Sequence, residues 1–133
     1  MTEADVRAKL IDPAVEQAGW SEDRVQREIT FTAGRIHVHG KTVSRGKKKR
    51  VDYILYYKND LPLALIEAKD DSHSAGDGLQ QGISYAQDLD IPFVYSSNGK
   101  GFIEHDSFTG AEKELDVSSL PSPEELFARF IQA

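Results

Sequence analysis

The sequence predicts a mixed α/β fold, a β-sheet flanked by α-helices, and three observations carry that expectation. Residues 51–57 and 63–70 are dense in β-branched, aromatic and aliphatic side chains and are separated by a short polar turn, as paired strands would be. The two ends instead space their apolar residues as helices do: Val6, Leu10, Ala14, Val15 and Ala18 near the start, Leu126, Phe127 and Phe130 near the finish. A third helical stretch, with Leu79, Ile83 and Ala86 on one side, separates strand-like segments.

The elements follow in order. Thr2 can cap the first helix, with Asp5 as acidic partner in its first turn. Pro13 is expected to kink that helix or split it after Asp12, and Gly19 to end it before Trp20. Residues 25–39 read as an extended stretch broken at Gly34, a hairpin arm or bulge. A basic loop and the two central strands come next. Residues 72–78 form a polar connection in which Ser74 or Asp77 can cap a helix running to about Leu89. Strands at 92–96 and 101–105 flank a turn at Asn98-Gly99, and a turn follows at 107–110. Ser122 or Pro123 starts the last helix. The expected order is α-β-β-β-α-β-β-α in a single domain spanning 1–133, with no repeat and no internal linker.

Composition narrows the chemistry. There are no cysteines, so disulfides and thiolate metal sites are excluded. No apolar run approaches membrane-spanning length and no signal-peptide core is visible, which points to a cytoplasmic protein. The net charge is −6, but its distribution is uneven: residues 29–51 hold seven of the 16 basic residues and none of the 22 acids. Arg45, Lys47, Lys48, Lys49 and Arg50 run straight into Asp52. A positive lobe beside carboxylates suits an enzyme that cuts a polyanion; a solvated hairpin tip is the ordinary alternative.

The chemistry-bearing residues are Asp52, Glu67 and Lys69, each placed in a strand that otherwise reads as buried. A charge there is costly unless it is paired or binds a metal. The two-residue period puts Asp52 with Ile54 and Tyr56, opposite Val51, Tyr53, Leu55 and Tyr57. It puts Glu67 and Lys69 on one face with Leu63 and Leu65, and a hairpin through Lys58-Asn59-Asp60-Leu61-Pro62 brings Asp52 beside them. Hard oxygen ligands suit Mg2+, or Mn2+ in its place, with the Ala68 backbone carbonyl as a further ligand. Lys69 can orient the attacking water or steady charge on phosphorus. On the following helix Gln81 and Tyr85 stand four residues apart on one face, offset from Leu79, Ile83 and Ala86, and both can hydrogen-bond phosphate oxygens or metal-bound water.

Asp52, Glu67-Ala68-Lys69 and Gln81-x-x-x-Tyr85 together resemble the PD-(D/E)xK nuclease superfamily, in the subgroup with the Q-x-x-x-Y motif. Glu3-Ala4-Asp5, Gly19-Trp20, Gly34-Arg35-Ile36, Arg50-Val51-Asp52-Tyr53 and Asn98-Gly99 extend the resemblance to the N-terminal endonuclease domain of type I restriction enzyme R subunits, over nearly the whole chain. The resemblance implies a restriction-endonuclease-like fold and magnesium-dependent cleavage of double-stranded DNA. It implies as partners the motor remainder of an R subunit and the modification and specificity subunits. It also makes Glu3 a candidate acid near the metal. Val51 stands where the superfamily's name has proline. Such R subunits carry a translocase motor beyond the nuclease domain, so the chain is expected to be a nuclease portion lacking it, or a stand-alone relative.

Other candidates carry less. Gly40-Lys41-Thr42 lacks the earlier glycine and the strand–loop–helix setting of a phosphate loop, so no ATP site is expected. His37 and His39 share a strand face but have no third ligand. His73 reads as a loop histidine and Glu28 as a further acid near the site; Asp70 and Asp71 lie at the strand exit. The competing function is a nuclease-fold module that only binds nucleic acid or a partner, for which a buried acid pair would have no use.

Overall fold

Alternation along the central strands gives the sheet two apolar faces, and helices cover both. The chain is described here by a computed structural model over residues 1–32, 35–36 and 48–133. The N-terminal helix has three parts: α1 (Glu3–Val6), a π-helical turn (Arg7–Ile11) and α2 (Asp12–Gln17). The strands are β1 (Val25–Thr32), β2 (Arg35–Ile36), β3 (Lys49–Lys58), β4 (Leu61–Ala68), β5 (Phe93–Ser97), β6 (Gly101–Asp106) and β7 (Glu112–Asp116). Helix α3 (Leu79–Leu89) joins β4 to β5, and α4 (Pro123–Gln132) follows β7.

Among the described residues the strands form one sheet in the order β2-β1-β3-β4-β5-β6-β7. Neighbours are antiparallel except β4 and β5, whose parallel pairing requires the α3 crossover. Tyr53, Leu55, Ala64, Ile66, Phe93 and Tyr95 pack on one side with Val6, Ile11, Val15, Trp20 and Leu126. Ile54, Leu65 and Val94, their alternating neighbours, pack on the other side with Leu79 and Ala86 of α3.

Several local expectations hold. Thr2 and Ser122 each cap a helix reciprocally, with Asp5 and Glu125 respectively. Gly19 follows α2 with φ +104°. Asn59 and Asp60 turn β3 into β4.

Others are corrected. Pro13 does not split the helix after Asp12. The turn before it widens, so that the Asp12 N–H reaches the Arg7 carbonyl five residues back, and Pro13 falls in the first turn of α2, where its missing N–H costs little. Neither Ser74 nor Asp77 caps α3; Gly78 holds that position, and Ser74 donates instead to Asp77 within the loop. Strand β7 has no signature in the sequence, because Glu112-Lys113-Glu114 lacks an apolar face; it pairs with β6 as an exposed edge. Val51 does not share a side with Tyr53 and Leu55, and packs instead with Ile29, Phe31 and Ile54. The switch coincides with Glu28, opposite Asp52, whose φ is +53°. Gly34, His37, His39, the Gly40–Lys41–Thr42 run, Arg45 and Lys47 lie outside the described residues.

Candidate active site

The acids sit where β3 and β4 part. Their ladder runs from the hairpin to Tyr53–Ile66 and goes no further, whereas β4 stays paired with β5 through Glu67–Ser96 and Ala68–Ser97. In place of the next ladder rungs, each strand bonds to the other's carboxylate. The Asp52 N–H donates to Glu67 Oε2 at 3.0 Å, and the Ala68 N–H donates to Asp52 Oδ2 at 2.8 Å. The separation therefore leaves these two backbone donors satisfied and fixes one oxygen of each acid. The remaining oxygens, Asp52 Oδ1 and Glu67 Oε1, take no hydrogen bond from a described residue.

Both acids are almost buried, Asp52 6% and Glu67 5% exposed. Burial pushes the Glu67 carboxyl up to about 8, reinforced by the charges of Asp52 and Glu3, while the Asp52 N–H and Lys69 pull the other way. Two adjacent buried carboxylates with no cation hydrogen-bonded to either among the described residues are an arrangement that a divalent metal relieves. Among the described residues no three histidine, aspartate or glutamate side chains form a metal-holding group. The donor set is thus two hard oxygens, of the kind that suits a divalent ion such as Mg2+ or Mn2+.

The other expected residues lie at the exit of β4, on α1, on α3, on β3 and in the 69–78 loop. Lys69 follows β4, its N–H donating to the Ser97 carbonyl at 2.8 Å, so the backbone continues the parallel ladder and Lys69 keeps Glu67's face. Glu3, half-buried at the start of α1, is close enough for its charge to act on Glu67. The Gln81 side-chain amide donates to the Tyr85 hydroxyl at 2.8 Å, and this bond is exposed. Tyr85 is not wholly offset from the core, however: its ring meets Phe31 edge-on at 5.3 Å. Lys49 bonds Asp88 at 2.9 Å and lies over the Tyr85 ring; Arg50 stands 3.8 Å from Glu28. His73 bonds Asp77 in the loop, Asp70 accepts from Ser72, and Asp71 pairs with the N-terminus.

Other contributors escape sequence reasoning. A Cβ on Gly82 would lie 2.9 Å from Val94 Cγ1 and 3.4 Å from Glu67 Cγ; one on Gly78 would lie 3.2 Å from Glu67 Cβ and 3.5 Å from Lys69 Cε. These glycines let α3 press directly on the acid-bearing strand. The Gly78 N–H donates to the buried Ser96 hydroxyl, and the Asn98 amide donates to the His73 carbonyl, which ties the 69–78 loop to the end of β5. Polar Ser96-Ser97-Asn98 at the end of an apolar strand is the available signal. Arg7, which bonds Glu28 at 3.0 Å, has none beyond its charge.

Comparison with known proteins gives the family and the fold. The family model described as the N terminus of type I restriction enzyme R proteins matches residues 2–121. The chain belongs to that family. It is 42% identical to the type I restriction enzyme EcoAI endonuclease subunit of Escherichia coli, over 98% of this chain and 17% of that protein. It also superimposes, with a TM-score of 0.83 and 39% identity, on a solved fragment assigned as an HsdR subunit of a type I restriction enzyme from Vibrio vulnificus YJ016, over 99% of this chain and 26% of that one. The chain thus spans about a sixth of the curated relative and about a quarter of the solved one. The α/β fold expected from sequence is the fold of this family. Among the described residues no helix is long and apolar enough to cross a membrane.

Proposed function

We propose that these 133 residues act as one endonuclease domain of a type I restriction enzyme R subunit, hydrolysing phosphodiester bonds of double-stranded DNA with Mg2+, or Mn2+ as substitute. The observation that supports this most directly is the buried Asp52–Glu67 pair at the strand fork, each acid with one oxygen fixed by backbone and one left over. Asp52 and Glu67 would hold the ion with the Ala68 carbonyl, and Glu3 could add a water-mediated contact. A divalent ion in that place supplies Lewis-acid charge to phosphate oxygens and a more acidic water.

The chain's own groups do the rest. Lys69, two residues beyond Glu67 on the same face, orients the attacking water or offsets charge developing on phosphorus. Gln81 and Tyr85 hold each other at the helix surface and can turn their remaining donors toward substrate or ordered water. Lys48, Lys49 and Arg50, together with Arg45 and Lys47, supply sequence-independent phosphate contacts. The translocating motor, the modification subunit and the specificity subunit would be the partners in the assembled enzyme, and ATP would bind the motor rather than this chain.

Plasmid cleavage under Mg2+ or Mn2+ titration tests the reading, in the isolated chain and in an assembled R subunit. Asp52→Ala should abolish cutting. Lys69→Ala should lose turnover while retaining metal and DNA binding. Magnesium-dependent cutting that survives Asp52→Ala would refute the site.

A further inference from the structure

Arg7 is held unlike Arg27 and Arg129. Arg27 sets its guanidinium on Glu22 through two nitrogens and on Asp12 through a third; Arg129 grips Glu104 through two and also reaches Asp106. Those are fork-like contacts, in which the donor geometry of arginine is used. Arg7 makes one side-chain hydrogen bond, to Glu28 Oε1 at 3.0 Å, and its Nε is buried with no partner. An arginine kept for hydrogen-bond geometry would not be left this way. One kept for its charge could be.

Its surroundings are acidic and irregular. Glu28 lies directly across the sheet from Asp52, since Arg27–Tyr53 and Ile29–Val51 are the flanking rungs. Glu28 adopts φ +53°, a left-handed conformation unusual for a side-chain-bearing residue, inside a strand. Arg7 itself begins the π-helical turn. Burial by itself would weaken the Arg7 cation; the bond to Glu28 and the charges of Asp52, Glu28 and Glu3 more than offset this. The Arg7 guanidinium thus sits on Glu28, which lies on the β1 side of Asp52, whereas Glu67 lies on its β4 side.

We propose that Arg7 is a built-in cation standing where a second divalent metal would otherwise be drawn, so that the site takes a single ion, between Asp52 and Glu67. The inference rests on the metal-dependent reading above. Two carboxylates and water suffice for Mn2+. The Arg7 charge makes a second such set beside Asp52 unavailable, while still contributing positive charge near the phosphate.

The test is Mn2+ binding stoichiometry on the full chain, by calorimetry and by electron paramagnetic resonance of free and bound ion. The wild type should bind one equivalent, and Arg7→Lys should also bind one, since the charge is kept. Arg7→Ala should bind two. Arg7→Met, which keeps the aliphatic stem, should do the same and serves if the alanine variant does not fold. Two equivalents in the wild type, or one in both neutral variants, would overturn the proposal. The underlying reading fails differently: the wild type would then bind none, or would bind an ion that Asp52→Asn and Glu67→Gln do not remove.

Discussion

Two glutamates, one on the middle strand of the sheet and one next to its edge strand, are buried almost equally, and the chain treats them in opposite ways. Glu104 on β6 is 4% exposed and Glu67 on β4 is 5% exposed. Glu104 is saturated: Arg129 of α4 bonds both of its oxygens at 3.0 and 3.1 Å, and the Tyr95 hydroxyl donates to it at 2.6 Å. That network ties the last helix to the sheet and gives each carboxylate oxygen a donor. Glu67 has one backbone N–H, a carboxylate neighbour and a pKa pushed up to about 8. Burial alone therefore does not mark a functional acid. What marks it is burial without a matched cation, at a place where the ladder opens.

The largest expected contrast comes from removing the cation of the saturated pair. Arg129→Ala leaves Glu104 buried and uncompensated, a class of change that costs roughly 3–5 kcal/mol when fully buried. Arg129 is about a third exposed, so the loss should fall toward the lower end. Urea denaturation measures it. A loss below about 1 kcal/mol would mean that Glu104 is neutralised some other way.

Gly82→Ala probes how closely α3 presses on the unsaturated acid. The added methyl meets Val94 at 2.9 Å and Glu67 at 3.4 Å, so we expect a loss of about 1–3 kcal/mol through overpacking. Cleavage should fall further than stability explains, because the helix displaces Glu67. Normal cleavage in a folded Gly82→Ala chain would show that the acid tolerates such movement.

The pH dependence of the metal-free chain reports on Glu67. Glu67 is raised from an ordinary 4.5 to about 8, so between these values the folded chain holds a proton that the unfolded chain has released. Its contribution to stability is complete below about pH 4.5 and is lost as the pH rises toward 8. Glu67→Gln should flatten that decline and leave stability at pH 8 equal or higher, while abolishing metal binding. A melting profile unchanged in shape by Glu67→Gln would mean that Glu67 does not hold this proton.

The smallest effect on stability is expected at the helix surface. Tyr85→Phe deletes an exposed hydroxyl bonded to Gln81 and keeps the ring on Phe31, so the change should stay within about 1 kcal/mol. Cleavage in an assembled R subunit should nevertheless drop clearly. For DNA binding, neutralising Lys48, Lys49 and Arg50 should reduce the log–log salt slope by roughly 0.9 for each phosphate that the chain then leaves unneutralised. Full cleavage by Tyr85→Phe would assign Tyr85 to packing alone.

The sequence by itself determined the parts that depend on local period and local chemistry. Alternation over residues 53–57 and 64–69 foretold the central hairpin and set Glu67 and Lys69 on one face, but Leu63, expected beside Leu65, packs instead with Ala64 and Ile66, next to the register shifts of the hairpin. Thr2 with Asp5 announced the first helix, and Ser122 or Pro123 the last, because a helix start is signalled within a few residues. The motif spacing was also sufficient for the resemblance to the family, and the matching family model covers residues 2–121.

Only the tertiary structure decided how the acids are held, because the partners lie far apart in the chain. The fork between β3 and β4 depends on β4 staying paired with β5, which lies beyond a whole helix in the chain, while β3 stays with β1. Nothing local marks Gly82 as the point where α3 touches Glu67, or Arg7 as the neighbour of Glu28 and Asp52. The side switch at Val51 was likewise hidden, since strand period assumes regular backbone and the left-handed Glu28 interrupts it from the adjacent strand. Glu104 and Glu67 look alike in sequence, each an acid within an apolar strand. Their difference lies in whether the fold brings an arginine to them, and that is settled by packing between helices and sheet rather than by any pattern along the chain.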